Sequence, residues 1–301
     1  MTADMLSSSH RHAGTVPFSA GTAAPRAAVP SQACDCHMHL YDRRIPAVAG
    51  ARLLPPDATV ADYRQLQQRI GTRRTVLVTP STYGADNRPM LAGLQALGTD
   101  ARGVAVIDGT ETDAELQRLD GLGVRGIRLN LSLGVTGSEA QIEPLARRIA
   151  PLGWHLQLLM VPDRLADLAD VLERLPVPLV FDHFGRMAPD DAHRHPAHAL
   201  LLRLLAEGRT WVKLSGGYIV SASHTVDDPA LDTLARSYLA VAPHRVVWGS
   251  DWPHVTASAG HHPMPDDAAQ VDALSRWIGH DDAALHRVLV DNPRTLYGFD
   301  A

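Results

Sequence analysis

Ala33-Cys34-Asp35-Cys36-His37-Met38-His39 is a short, largely apolar run with a carboxylate and two histidines at alternate positions. Side chains alternate between faces along a strand. The pattern therefore predicts Asp35, His37 and His39 on one face. Cys34, Cys36 and Met38 fall on the other, packed toward helices. Further short apolar or β-branched runs follow at 75–80, 103–108, 125–131, 155–160, 179–183, 211–215 and 246–251. Between them, 60–70, 114–122, 142–152, 164–175 and 199–206 carry apolar residues at helical spacing. Thr112 and Asp163 are the expected helix starts, and Pro176 and Gly208 the expected stops. Strands alternating with helices imply a parallel sheet. Eight such units over residues 33–301 predict an α/β fold, a closed (β/α)8 TIM barrel in a single domain. A doubly wound open sheet is the alternative.

Composition narrows the function. The chain has 301 residues, 45% of them apolar, and a net charge of −5. No apolar run reaches the length of a membrane span. No basic stripe is present of the kind that nucleic-acid binding requires. Two cysteines are too few to staple a domain of this size, which points to a reducing, cytoplasmic setting. Residues 1–32 are rich in Ser, Ala, Thr, Gly and Pro and lack the apolar segment of a secretory signal. They are expected to form a loose N-terminal arm, with His10-Arg11-His12 solvated. Of 28 basic residues only Lys213 is a lysine.

In a barrel of this type the chemistry gathers at the C-terminal strand ends. Those ends are polar here. The first carries His37 and His39, and the sixth ends in Asp182-His183-Phe184-Gly185-Arg186. The eighth ends in Trp248-Gly249-Ser250-Asp251-Trp252-Pro253-His254, where Gly249 leaves room near the axis. A carboxylate at the end of an apolar strand needs a partner or a task. Convergence of His37, His39, His183 and Asp251 on the barrel mouth is the central expectation. Arg128 and Asn130 share a parity on the fourth strand and are expected to point inward. An inward Arg128 suits a substrate carboxylate or a pair with a barrel acid such as Asp35. Ser81 is a candidate donor, and Lys213, if inward, needs a carboxylate partner. The His193–His198 and His261-His262 segments are expected in surface loops, the second bordering the mouth because it follows the eighth strand.

These motifs together resemble the amidohydrolase superfamily, and within it the lactonase branch of the pyrone-dicarboxylate lactonases. The resemblance runs from Pro30 to Tyr297 and includes 81–87, 102–108 and 292–297. It implies a core site of His37, His39, His183 and Asp251, and substrate contacts from Ser81, Arg128 and Arg186. Asn130 and His254 complete the expected substrate-binding set. Where those lactonases carry further Tyr and Arg residues, this chain has Leu53, Gly134, Leu159 and Ile219. A less anionic lactone is therefore expected, a carboxylated muconolactone-like or sugar-acid lactone. The lysine that bridges two ions in binuclear relatives would stand on the fourth strand, and none is there. This limits the site to one divalent ion, zinc, held by His37, His39, His183 and Asp251. Relatives with the same residues include metal-free enzymes, and the sequence leaves both options open.

The expected reaction is hydrolysis of a cyclic ester, with Asp251 as general base toward water and the imidazoles holding an ion or polarising the carbonyl. The expected partner is a small-molecule lactone or carboxylic acid. A decarboxylase of aromatic or enol acids on the same barrel is the second reading. A non-catalytic binding protein on a degenerate barrel is the third.

Overall fold

The computed structural model describes residues 14–132 and 137–300. Its strands are β1 (Cys34–Met38), β2 (Arg74–Val78), β3 (Ala101–Ala105), β4 (Val124–Asn130), β5 (His155–Leu159), β6 (Leu179–Phe181), β7 (Thr210–Leu214) and β8 (Val246–Trp248). All neighbours are parallel, and the spatial order is the sequence order from β1 to β8. That order is the barrel's; the order reversal of a doubly wound sheet is absent. The ring closes just beyond β8, where Asp251 N donates to His37 O and His39 N to Trp252 O, both at 2.8 Å.

The crossovers are α1 (Val60–Ile70), α2 (Arg88–Leu97), α3 (Asp113–Gly121), α4 (Ile142–Ile149), α5 (Pro162–Asp167), α6 (Ala169–Arg174) and α7 (Pro196–Ala206). They continue with α8 (Gly217–Val220), α9 (Pro229–Val241), α10 (Val255–Ser258), α11 (Asp267–Trp277), α12 (Asp282–His286) and α13 (Asn292–Tyr297). Thr112 caps α3 as expected, accepting from Glu115 N at 3.2 Å. The helix expected over 164–175 is instead two, broken at Leu168. It starts at Pro162, a residue well suited to a first helical turn. Asp163 is therefore not its cap; the carboxylate lies 3.1 Å from His195 Nε2.

Outward strand residues such as Leu77, Ile127, Leu156, Phe181 and Trp248 are buried against the helices. Burying a side chain of this size stabilises by roughly 1.5–3 kcal/mol. Inside the barrel, Val76, Val78, Val104, Val180, Trp211 and Val247 form a separate apolar plug, closed by Tyr297 and Phe299.

Cys34 and Cys36 belong to that inner plug, not to the helix-facing layer expected of them. The reason is a β-bulge: β1 spends three residues from Asp35 to Met38 where β2 spends two, from Thr75 to Leu77. Above the extra residue the alternation flips. Asp35 points out of the barrel, accepting from Tyr63 Oη at 2.9 Å and Ser250 Oγ at 2.5 Å. Met38 points out as well, while His37 and His39 point in.

His10, Arg11 and His12 of the expected arm lie outside the described residues. Downstream, Trp252 Nε1 donates to Pro17 O at 2.9 Å, and the Phe18 ring stands edge-on to Trp252 at 5.5 Å. Arg69 Nη1 donates to Gly21 O at 2.9 Å. Among the described residues no helix is long and apolar enough to cross a membrane.

Candidate active site

The strand ends that carry the site leave ordinary backbone space. His183, Phe184, Gly185 and Arg186 have φ of 48, 57, 63 and 59°, a complete left-handed turn. Three of the four are L-residues for which this conformation costs roughly 1–2 kcal/mol each. Such strain clusters at functional sites. The turn sets His183 and Arg186 on the same cavity wall. It is pinned from behind by Tyr238 Oη, which donates to Phe184 O at 2.9 Å. Asp251, at φ 68°, repeats the device after β8.

The three imidazoles and the carboxylate meet as expected. Asp251 Oδ1 lies 3.6 Å from His37 Nε2, 3.8 Å from His39 Nε2 and 3.7 Å from His183 Nε2. The two β1 imidazoles are 3.3 Å apart at Nε2. The outer ring nitrogens are held: His39 Nδ1 on Val78 O at 2.7 Å and His183 Nδ1 on Ser215 Oγ at 2.9 Å. His37 Nδ1 lies between Asp182 Oδ1 at 3.2 Å and Lys213 Nζ at 3.3 Å. Tyr218 Oη donates to Asp251 Oδ2 at 2.9 Å.

Of this donor set, His37, His39 and Asp251 stand close enough together to hold one divalent ion. Ligands about 2.0–2.1 Å from a tetrahedral centre lie about 3.3–3.4 Å from each other, close to the separations seen. Outer-nitrogen bonds of this kind fix ligating imidazoles in place. A second triplet, His37, Asp182 and His183, is also within metal-binding reach. There, however, Asp182 Oδ2 is committed to Arg128 Nε at 2.9 Å and Gln157 Nε2 at 3.1 Å.

Burial dominates the electrostatics. It lowers His39 to about 4, helped by Arg128, and lowers His37 and His183 as well. All three rings are thus neutral near pH 7. Burial works to raise Asp182, yet His37, then Arg128 and Lys213, hold it well below the usual carboxylate range. Lys213 itself is pushed down to about 8 by burial, against the pull of Asp182.

Above this group opens a cavity of about 370 Å³. Ser81, Arg128, Asn130, His183, Arg186 and Asp251 line it, as the sequence predicted of them. Ser81 Oγ accepts from Asn130 Nδ2 at 2.8 Å. Arg186 makes no hydrogen bond or ion pair among the described residues, so its guanidinium is free to meet a ligand. Leu53, Leu159 and Ile219 form apolar parts of the wall; Gly134 lies outside the described residues.

Several expectations need correction. Arg128 pairs with Asp182, not with Asp35, which the bulge turns away. Lys213, by contrast, is inward and fully buried with the carboxylate expected of it, Asp182, 3.9 Å away, and donates to Gln157 Oε1 at 2.7 Å and Cys36 O at 2.8 Å. His254 is fully buried against Asp267, its Nε2 3.0 Å from Oδ2, and does not line the cavity. His262, in the loop expected to border the mouth, lines it.

Sequence reasoning missed Asp182, Gln157 and Tyr218, and gave His262 a place at the mouth but no role. Asp182 and Gln157 share the inward parity of their strands, a signal that was available. Tyr218 sits on a four-residue helix after β7 and offered none.

The amidohydrolase family model matches residues 34–299. D-galactarolactone isomerase of Agrobacterium fabrum is 33% identical over 91% of this chain and 94% of its own. A 2-pyrone-4,6-dicarboxylate hydrolase of Comamonas testosteroni is 32% identical over 94% of this chain and 96% of its own. A solved apo structure from Agrobacterium tumefaciens superposes with a TM-score of 0.82 at 31% identity, covering 92% of this chain and 99% of the other. The match spans every strand and all four converging side chains, and the chain belongs to the amidohydrolase family.

Proposed function

We propose that this protein hydrolyses a small lactone bearing an anionic substituent. The observation that carries the reading is the placing of Asp251 Oδ1 within 3.6–3.8 Å of three neutral imidazole nitrogens at the cavity floor. The names of the two curated relatives, a lactone isomerase and a pyrone-dicarboxylate hydrolase, support the substrate class.

In this reading a water beside Asp251 gives its proton to the carboxylate as its oxygen attacks the lactone carbonyl. Tyr218 holds the carboxylate in place from behind. His183, whose Nδ1 can accept from Ser215 Oγ, can present an Nε2 proton to the carbonyl oxygen, where negative charge develops, whereas His39 donates through Nδ1 to Val78 O and offers a lone pair at Nε2. Arg186, and the arms of Arg128 not committed to Asp182, take a carboxylate of the substrate, with Ser81 and Asn130 beside them. The apolar wall of Leu53, Leu159 and Ile219 favours a substrate with fewer charged substituents than a fully substituted pyrone. His37, His39, His183 and Asp251 are also the side chains that would hold a single zinc ion. Such an ion, when bound, polarises carbonyls and acidifies water.

The test is a panel of carboxylated lactones followed by acid release at constant pH. Turnover by the wild type and its loss in Asp251→Asn are expected. Release of carbon dioxide from an aromatic acid, without lactone turnover, would replace this reading by a decarboxylase.

A further inference from the structure

The His261-His262 segment has no role in the reaction proposed above, yet His262 faces the same cavity as Asp251. The chain folds back there, with His261 N donating to Thr256 O at 2.9 Å. The His262 ring lies against His224, tilted at 37° with centroids 4.2 Å apart. It also meets Tyr218 edge-on at 6.2 Å, and Tyr218 in turn holds Asp251. Nδ1 of His262 is buried without a hydrogen-bond partner among the described residues. A ring fixed on two sides, with a buried unpaired nitrogen at a substrate cavity, is placed for a ligand atom.

We propose that His262 is a catalytic residue that delivers a proton to the ring oxygen leaving the acyl carbon. This rests on the lactonase reading. Water's oxygen bonds the acyl carbon and its proton passes to Asp251. The acyl carbon–ring oxygen bond then breaks, and that oxygen takes the proton from the His262 imidazolium. Asp251 returns its proton to solvent and His262 is recharged from solvent, so the net change is lactone plus water to hydroxy acid. Tyr218 spaces the two groups, as a base at the carbon and an acid at the adjacent oxygen require. Burial, then the neighbouring His224 and His261, lowers the His262 pKa, which makes its imidazolium a readier donor.

The experiment compares two carboxylated lactones that differ in leaving group: an aldaric-acid γ-lactone, which expels an alkoxide, and a carboxylated dihydrocoumarin, which expels a phenoxide. General acid help matters for the first and little for the second. His262→Phe is expected to lower kcat/KM about 100-fold or more on the aldaric lactone and less than about 5-fold on the coumarin. His262→Gln, a hydrogen-bond donor that cannot transfer a proton, should behave like Phe. Equal losses on both substrates, no loss, or full rescue by Gln would each overturn the assignment while leaving the lactonase reading intact. A wild type inactive on both would remove the lactonase reading and this one with it. Unchanged thermal unfolding of the variants, expected for a loop residue, keeps a folding defect from imitating either result.

Discussion

The ammonium of Lys213 stands 3.3 Å from Nδ1 of His37, sealed beneath the cavity by the inner apolar plug. A buried cation in this position is costly unless its donors are all used. Here Cys36 O and Gln157 Oε1 accept from it, the third donor faces His37 Nδ1, and the charge of Asp182 lies 3.9 Å away. Lys213→Met should therefore strip a donor from two buried acceptors and leave Asp182 with Arg128 as its one remaining fixed cation. A loss of about 3 kcal/mol or more is expected, read from the urea midpoint at unchanged slope. A change below about 1 kcal/mol would show that Met repacks the layer and that the network adds little.

Asp251→Asn keeps the size and the Tyr218 contact but removes the proton acceptor. Lactone turnover is expected to fall at least about 1,000-fold with the fold intact. Tyr218→Phe leaves the base in place and frees its orientation, and about a tenfold loss is expected. If the Tyr variant loses as much as the Asn variant, Tyr218 takes part in the chemistry directly.

The barrel was legible because periodicity is local: each inward apolar run and each helical stripe can be read without its neighbours. The convergence of His37, His39, His183 and Asp251 was legible for the same reason, since each ends a strand. The orientation of β1 was not. A bulge between Asp35 and Met38 is fixed by pairing with β2, and a single strand carries no trace of its register. The same limit hid the partner of Arg128, because Asp35 and Asp182 are equally acidic on paper and only the bulge decides between them. For His262 the sequence offered only its place after the eighth strand, because loop path, unlike strand parity, depends on long-range contacts such as the one with His224.

The donor set predicts a ligand-linked gain in stability. An ion bound only by the folded state stabilises by about 2.7 kcal/mol at a free concentration 100 times its dissociation constant. Titrating zinc into chelator-treated protein should raise the unfolding midpoint, and His39→Ala should abolish the rise. No shift in the wild type would mean that the four side chains act as proton carriers and hydrogen-bonding groups alone.

His155 lies inside the barrel on β5, its ring 5.4 Å from that of Tyr297. Burial, and next the charge of Lys213, lowers its pKa from 6.5 to about 3. The unfolded chain therefore binds a proton that the folded chain refuses as pH falls below 6.5. Stability is lost in that window and the loss ends near pH 3. At pH 4 the group accounts for about 3 kcal/mol of lost stability relative to pH 7. His155→Leu should flatten the dependence by that amount in urea titrations at the two pH values. An equal slope in both proteins would place the acid sensitivity elsewhere.

Gly249 faces the backbone of β1 across the closing seam. A Cβ there would sit 2.6 Å from His37 Cβ and 2.7 Å from His37 N. The opposing atoms are the His37 main chain and the Cβ fixed to it, pinned by the Asp251–His37 hydrogen bond at 2.8 Å, and cannot swing aside as the end of a long side chain would. Gly249→Ala must therefore push β1 and β8 apart and carry His37 away from Asp251. Overpacking of this kind costs about 1–3 kcal/mol. Activity should fall further than stability does, because His37 and Asp251 are displaced relative to each other while the remaining core stays packed. Gly121→Ala is the matched control, since a Cβ at the end of α3 meets nothing within 4 Å. It should leave turnover unchanged and stability equal or slightly higher. Equal behaviour of the two variants would mean that the seam is loose enough to accept a methyl group, and that His37 is not held in register by the closure of the barrel.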